Sequence, residues 1–84
     1  MAALKENAIR IMEYLQEHDG EDLAAIDIAA ALNIEIKSVN GTLTALDRHR
    51  KYIVREEVAV TGGKVKYIRL TDEGRAFDPD TDNT

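Results

Sequence analysis

IDIAAALNIEIKSVNGTLTALDRHRKYIVRE, residues 26–56, holds two helical patterns separated by a few residues and then a change of period. Together with Leu23 just upstream, Ile28, Ala29 and Leu32 give the first pattern an apolar face. Its alanines favour helix, and Asn33 is a natural stop. Small side chains let a neighbouring helix cross closely. The next helix is predicted to begin at Glu35 or Ile36 and to run to about His49, with Ile36, Val39, Leu43 and Leu46 on its apolar face. At the helical advance of roughly 100° per residue, Lys37, Gly41, Thr44 and Arg48 line the opposite side, with Ser38, Asn40 and Ala45 beside them. A glycine inside a helix costs about 1 kcal/mol relative to alanine, so Gly41 is easiest to understand where something must come close. At Tyr52 the period shifts to that of a strand.

Working outward, YIVREEVAV (52–60) and KVKYIRL (64–70) are rich in β-branched and aromatic residues and flank Thr61-Gly62-Gly63, which predicts a β-hairpin. The glycines lack the further glycine and following helix that a phosphate loop needs. Lys64 and Lys66 share one face of the second strand, and Arg55 and Arg69 are expected elsewhere on the hairpin. Upstream, Leu4, Ala8, Ile11 and Leu15, flanked by Met12, mark an amphipathic first helix that should end near His18, before the turn signal Asp19-Gly20. Downstream, LTDEGRAF (70–77) reads as a short closing helix. Thr71 can cap it, Asp72 and Glu73 suit the positive end of its dipole, and Phe77 is the expected anchor. Asp78-Pro79 should end it, leaving a domain over residues 1–78 and a flexible acidic tail at 79–84.

The chain has 84 residues, 44% hydrophobic and 32% charged, which suits one small globular domain. Its net charge of −5 is unevenly spread. Residues 1–36 carry two Lys/Arg against eight Asp/Glu, whereas residues 37–69 carry eight against three. Such asymmetry marks a candidate surface for nucleic acid.

The order helix, helix, helix, hairpin is that of a winged helix-turn-helix: mainly α, a three-helix core with a wing and a short C-terminal helix. Residues 26–56 resemble the helix-turn-helix of MarR-type transcriptional regulators, and IRLTDEGRAF (68–77) is similar to the "strand, LT, acidic pair, G" segment that follows the wing in that family. The resemblance covers roughly residues 4–77. It implies double-stranded DNA as partner, with the third helix in the major groove and the wing on the backbone. By position it assigns Lys37, Ser38, Asn40, Gly41, Thr44 and Arg48 to the groove and Lys64 and Lys66 to the wing. Three departures stand out. The family's long dimerising helices are reduced to one N-terminal helix, Gly62-Gly63 replaces the acidic-then-arginine wing tip, and Ala24 occupies the usual N-cap before the second helix. These point to a bare DNA-contacting module rather than a ligand-sensing repressor.

Other classes find little support. Without cysteine there is no disulfide, thiolate nucleophile or cysteine-based zinc site, and the cytoplasm is the natural setting. His18 and His49, with Arg50 and Lys51, sit where helices should end and complement their dipoles, so neither a metal nor another cofactor is expected. No nucleophile has an evident base, so an enzyme is not expected, and no segment approaches the roughly 20 apolar residues of a membrane span. The alternative is a protein-interaction adaptor, or a homodimer, using the first helix, where Ile9 and Tyr14 are expected off the buried face.

Overall fold

The computed structural model describes residues 6–78. Leu4 and the proposed tail at 79–84 lie outside that range. Four helices and one hairpin follow in order: α1 (Glu6–Glu17), α2 (Ala25–Leu32), α3 (Ile36–Ala45) continuing into a wider π turn (Leu46–Arg50), β1 (Ile53–Val60), β2 (Gly63–Leu70) and α4 (Asp72–Ala76). The order is that of a winged helix-turn-helix.

Ala8, Ile11, Met12 and Leu15 of α1 are buried, meeting Ile28 and Ala29 of α2, Val39 and Leu43 of α3, Leu46, and Ile53, Ile68 and Leu70 from the base of the hairpin. Each such large side chain contributes roughly 1.5–3 kcal/mol on burial. Phe77 joins the same core and lies 5.1 Å from the Tyr52 ring, the anchoring role expected of it. Ile36 differs from expectation: it is 40% exposed. It belongs to the first helical turn, where the chain has just left the Asn33–Glu35 connection and α3 has not yet swung over the core. Ile9 and Tyr14 lie off the buried face of α1, half-buried at the margin of the core.

The helix ends follow from local chemistry. α2 closes on Asn33, whose φ of 54° is left-handed and whose N–H donates to the Ala29 carbonyl. At its start Ala24 has no side-chain acceptor to offer, and the Asp27 carboxylate reaches back to accept the Ala24 N–H at 2.9 Å. α4 is capped as predicted, the Thr71 hydroxyl accepting the Gly74 N–H at 3.1 Å. The third helix does not remain regular to His49. In the π turn the Leu46 carbonyl accepts both the Lys51 N–H and the Tyr52 N–H, the latter at 3.0 Å, while Lys51 takes the left-handed conformation at φ 57°. Two donors on one carbonyl release the chain into β1.

The hairpin is antiparallel, pairing Ile53 with Leu70 at its base and Val60 with Gly63 at its tip. Gly62 at φ 90° and Gly63 at φ 154° make the turn in conformations that side chains disfavour. At the base, the Ile68 N–H donates to the Leu23 carbonyl at 2.7 Å and Ala24 bridges Tyr67, which covers the outer edge of β2. The Gln16 amide donates to the carbonyls of Gly74 and Phe77 at 3.0 and 2.8 Å, tying α1 to α4.

Candidate nucleic-acid interface

Of the residues singled out on α3, Lys37, Ser38, Asn40, Gly41 and Arg48 are exposed. Arg48 lies in the π turn, whose wider bonding rotates it away from a strict α-helical projection. Thr44 departs from the expected outward position. It is half-buried, its hydroxyl donates to the Asn40 carbonyl at 2.9 Å, and it accepts from Arg55 Nη2 at 2.8 Å. A β-carbon added to Gly41 would meet nothing within 4 Å, so no contact among the described residues accounts for a glycine there.

Register decides what the wing offers. Residues directly opposite each other share a face, so the pairs Ile53–Leu70, Arg55–Ile68, Glu57–Lys66 and Ala59–Lys64 form one face and Val54–Arg69, Glu56–Tyr67 and Val58–Val65 the other. Lys64 and Lys66 are exposed, as expected. Arg55, expected elsewhere, stands on their face and bridges to α3 through Thr44. Strand parity carried that signal from the start, since Arg55 and Glu57 alternate in step and Glu57 pairs with Lys66.

Carboxylate partners divide the cations of this region. Arg69 is spoken for: it reaches Asp22 at 2.7 Å and Glu56 at 3.2 Å and donates to the Glu21 carbonyl at 2.9 Å. The hydrogen bond to Asp22, with a further one to Glu56, raises its guanidinium above the ordinary arginine range. Lys64 lies 3.4 Å from Glu57 in an exposed pair. Such surface pairs are worth little and exchange readily. Lys37, Arg48, Arg55 and Lys66 have no carboxylate partner among the described residues. The acidic side chains near the wing base are therefore occupied by Arg69, and farther round by Arg75, which pairs with Asp19 at 2.8 Å. What remains is an α3 surface and a wing face on which Lys37, Arg48, Arg55 and Lys66 lack carboxylate partners among the described residues, while Lys64 is loosely paired with Glu57.

On the opposite flank of α3 lies a groove of about 700 Å³ between the start of α1 and the π turn, bordered by Asn7, Ser38, Gly41, Ala45 and His49. It is open and lined largely by short side chains. No helix among the described residues is long and apolar enough to cross a membrane.

No family model and no curated protein matches the sequence. Solved structures do. MepR, a MarR-family transcription regulator of the Staphylococcus aureus multidrug efflux pump MepA, is 28% identical over 94% of this chain and 55% of its own, with a TM-score of 0.76. The S. aureus MepR–DNA complex is 31% identical over 84% of this chain and 49% of its own, with a TM-score of 0.72. The chain thus spans about half the length of the solved structures it matches. It is a winged helix-turn-helix domain that resembles the MarR type, and its fold is that of DNA-binding transcription regulators.

Proposed function

We propose that the chain is a DNA-contacting module of a transcription regulator, which sets α3 into the major groove of double-stranded DNA and lays the wing against the backbone. One observation carries this reading: Lys37 and Arg48 on α3 and Lys66 on the wing are exposed and lack carboxylate partners among the described residues, while the carboxylates at the wing base are taken up by Arg69. Each cation that neutralises a phosphate releases condensed counter-ions. Base edges would be read by Arg48 on guanine or Asn40 on adenine, with Ser38 and Gly41 allowing close approach. The chain's net charge of −5 opposes loose adhesion, so a single copy binds weakly and two copies on a two-fold site bind better.

The experiment is a titration with labelled duplex DNA at several salt concentrations, beside Lys37→Ala/Arg48→Ala. Wild type should lose affinity with salt and the variant should show a shallower dependence. Equal, salt-independent behaviour of both would instead support the rival reading, a protein-interaction module. That reading draws on the half-buried Ile9 and Tyr14 of α1, and also on Val54 and Val60, 49% and 44% exposed, on the wing face turned away from the lysines. Solution mass with and without duplex decides whether two copies assemble.

A further inference from the structure

The two arginines of the wing strands live in opposite circumstances. Arg69 has two carboxylates and a backbone carbonyl. Arg55 has a single neutral hydroxyl, that of Thr44, and no carboxylate among the described residues. Its Nε is shut off from solvent with no acceptor. A guanidinium partly withdrawn from water with no carboxylate beside it is costly unless an anion meets its accessible edge. Its location says where that anion comes from. Arg55 shares its wing face with Lys64 and Lys66 and bridges the gap to α3; Lys66 likewise has no carboxylate partner among the described residues, and Lys64 is held only by its exposed pair with Glu57.

Thr44 completes the picture. Its hydroxyl has one proton, committed to the Asn40 carbonyl, and an oxygen committed to Arg55. It is poorly placed to read a base and well placed to hold one prong of a guanidinium fork still. We infer that Arg55 is a phosphate-binding residue at the junction of wing and recognition helix, and that Thr44 is its positioning residue. This rests on the DNA-contacting reading above, and adds to it a contact that position within the family pattern did not supply. Arginine suits the task because its planar fork can give one edge to Thr44 and another to a phosphate oxygen.

The test follows duplex binding across a range of KCl concentrations for wild type, Arg55→Gln, Arg55→Lys, Thr44→Val and the double variant Arg55→Gln/Thr44→Val. In parallel, pyrophosphate is titrated into wild-type protein while the Arg55 Nε–H signal is followed by NMR. Arg55→Gln should lower the slope of log affinity against log salt by about 0.9, the loss of one phosphate contact, and Arg55→Lys should restore it. Thr44→Val removes no charge. It should weaken binding when Arg55 is present and have no further effect in Arg55→Gln. Pyrophosphate should shift the Arg55 signal.

A wild-type slope in Arg55→Gln overturns the inference and leaves the DNA reading standing. Wild type without salt-dependent duplex binding, but with a pyrophosphate shift at Arg55, overturns the DNA reading and keeps the anion site. Neither response overturns both. If Arg55→Gln does not fold, the pyrophosphate titration of wild type decides alone, a silent Arg55 signal sinking the inference.

Discussion

Gly74 and Gly41 are both helical glycines, and they sit in opposite surroundings. At Gly74, in α4, an added β-carbon would run into the Tyr52 carbonyl and press on Leu70, because α4 is laid directly over the start of the hairpin. At Gly41, in α3, the same carbon would meet nothing. The first glycine is required by the chain's own packing. The second costs stability with no return from a contact among the described residues, as the proposed DNA-facing surface would require. The base of the wing and the outer side of α3 thus answer to different demands, and substitutions should separate them.

The largest effect belongs to the base. Gly74→Ala cannot relax against a backbone oxygen that is itself held by the Thr71 N–H at 3.0 Å. It should cost about 2–3 kcal/mol as an overpacked contact. For a domain of this size that lowers Tm by roughly 10–20 °C, read by circular dichroism. A Tm within a degree or two of wild type would mean that α4 does not rest on Tyr52.

Next comes the outer surface. Lys37→Ala/Arg48→Ala should leave Tm nearly unchanged, because both side chains are exposed and make no ion pair among the described residues. It should lower the salt slope of duplex binding by about 0.9, the phosphate contact of Lys37, and the loss of Arg48 should weaken discrimination at a guanine by about 1–3 kcal/mol. The contrast with Gly74 collapses if the double variant unfolds at lower temperature yet binds DNA as wild type does.

How much of this was legible in the sequence follows the same division. The 3.6-residue spacing of Ile11, Leu15, Val39 and Leu43, the Asn33 stop, the Thr71 cap and the Phe77 anchor depend on neighbours within a turn or two, and each stands where expected. Ile36 fails because helical periodicity says which side a residue faces but not how far along the helix the core extends. Thr44 and Arg55 fail for a different reason. Strand parity gives the face of Arg55, but its contact with Thr44 depends on the angle between α3 and a hairpin eleven residues on, a tertiary quantity that neither periodicity nor family position encodes. Arg48 projects differently because the regular α-helix ends at Ala45 rather than His49, and nothing in LDRHRK announces a π turn. For the proposed DNA site, then, the residue types were readable, while their internal commitments were not.

Gly41→Ala sharpens the comparison from the other side. It should raise stability by about 0.5–1 kcal/mol, since alanine is the better helix former and the space is open. Duplex binding should weaken as the added methyl intrudes on the approach. Stability rising without any loss of binding would detach Gly41 from the interface and leave its presence unexplained by a partner.

The smallest effect concerns the helix end. Lys51 adopts a left-handed conformation, φ 57°, at the position where glycine usually closes a helix, and its side chain is exposed. A non-glycine residue there costs roughly 1 kcal/mol in steric crowding, partly offset by the lower entropy of its unfolded chain. Lys51→Gly should therefore raise Tm by only a few degrees. The same substitution removes a positive charge from the negative end of the helix dipole, which takes back a few tenths of a kcal/mol at low salt. That second term is screened and the first is not, so the gain should widen as KCl is raised. A gain that shrinks with salt would show that the charge, rather than the backbone conformation, governs this position. Lys51 would then join Lys37 and Arg48 as a cation that the fold does not use.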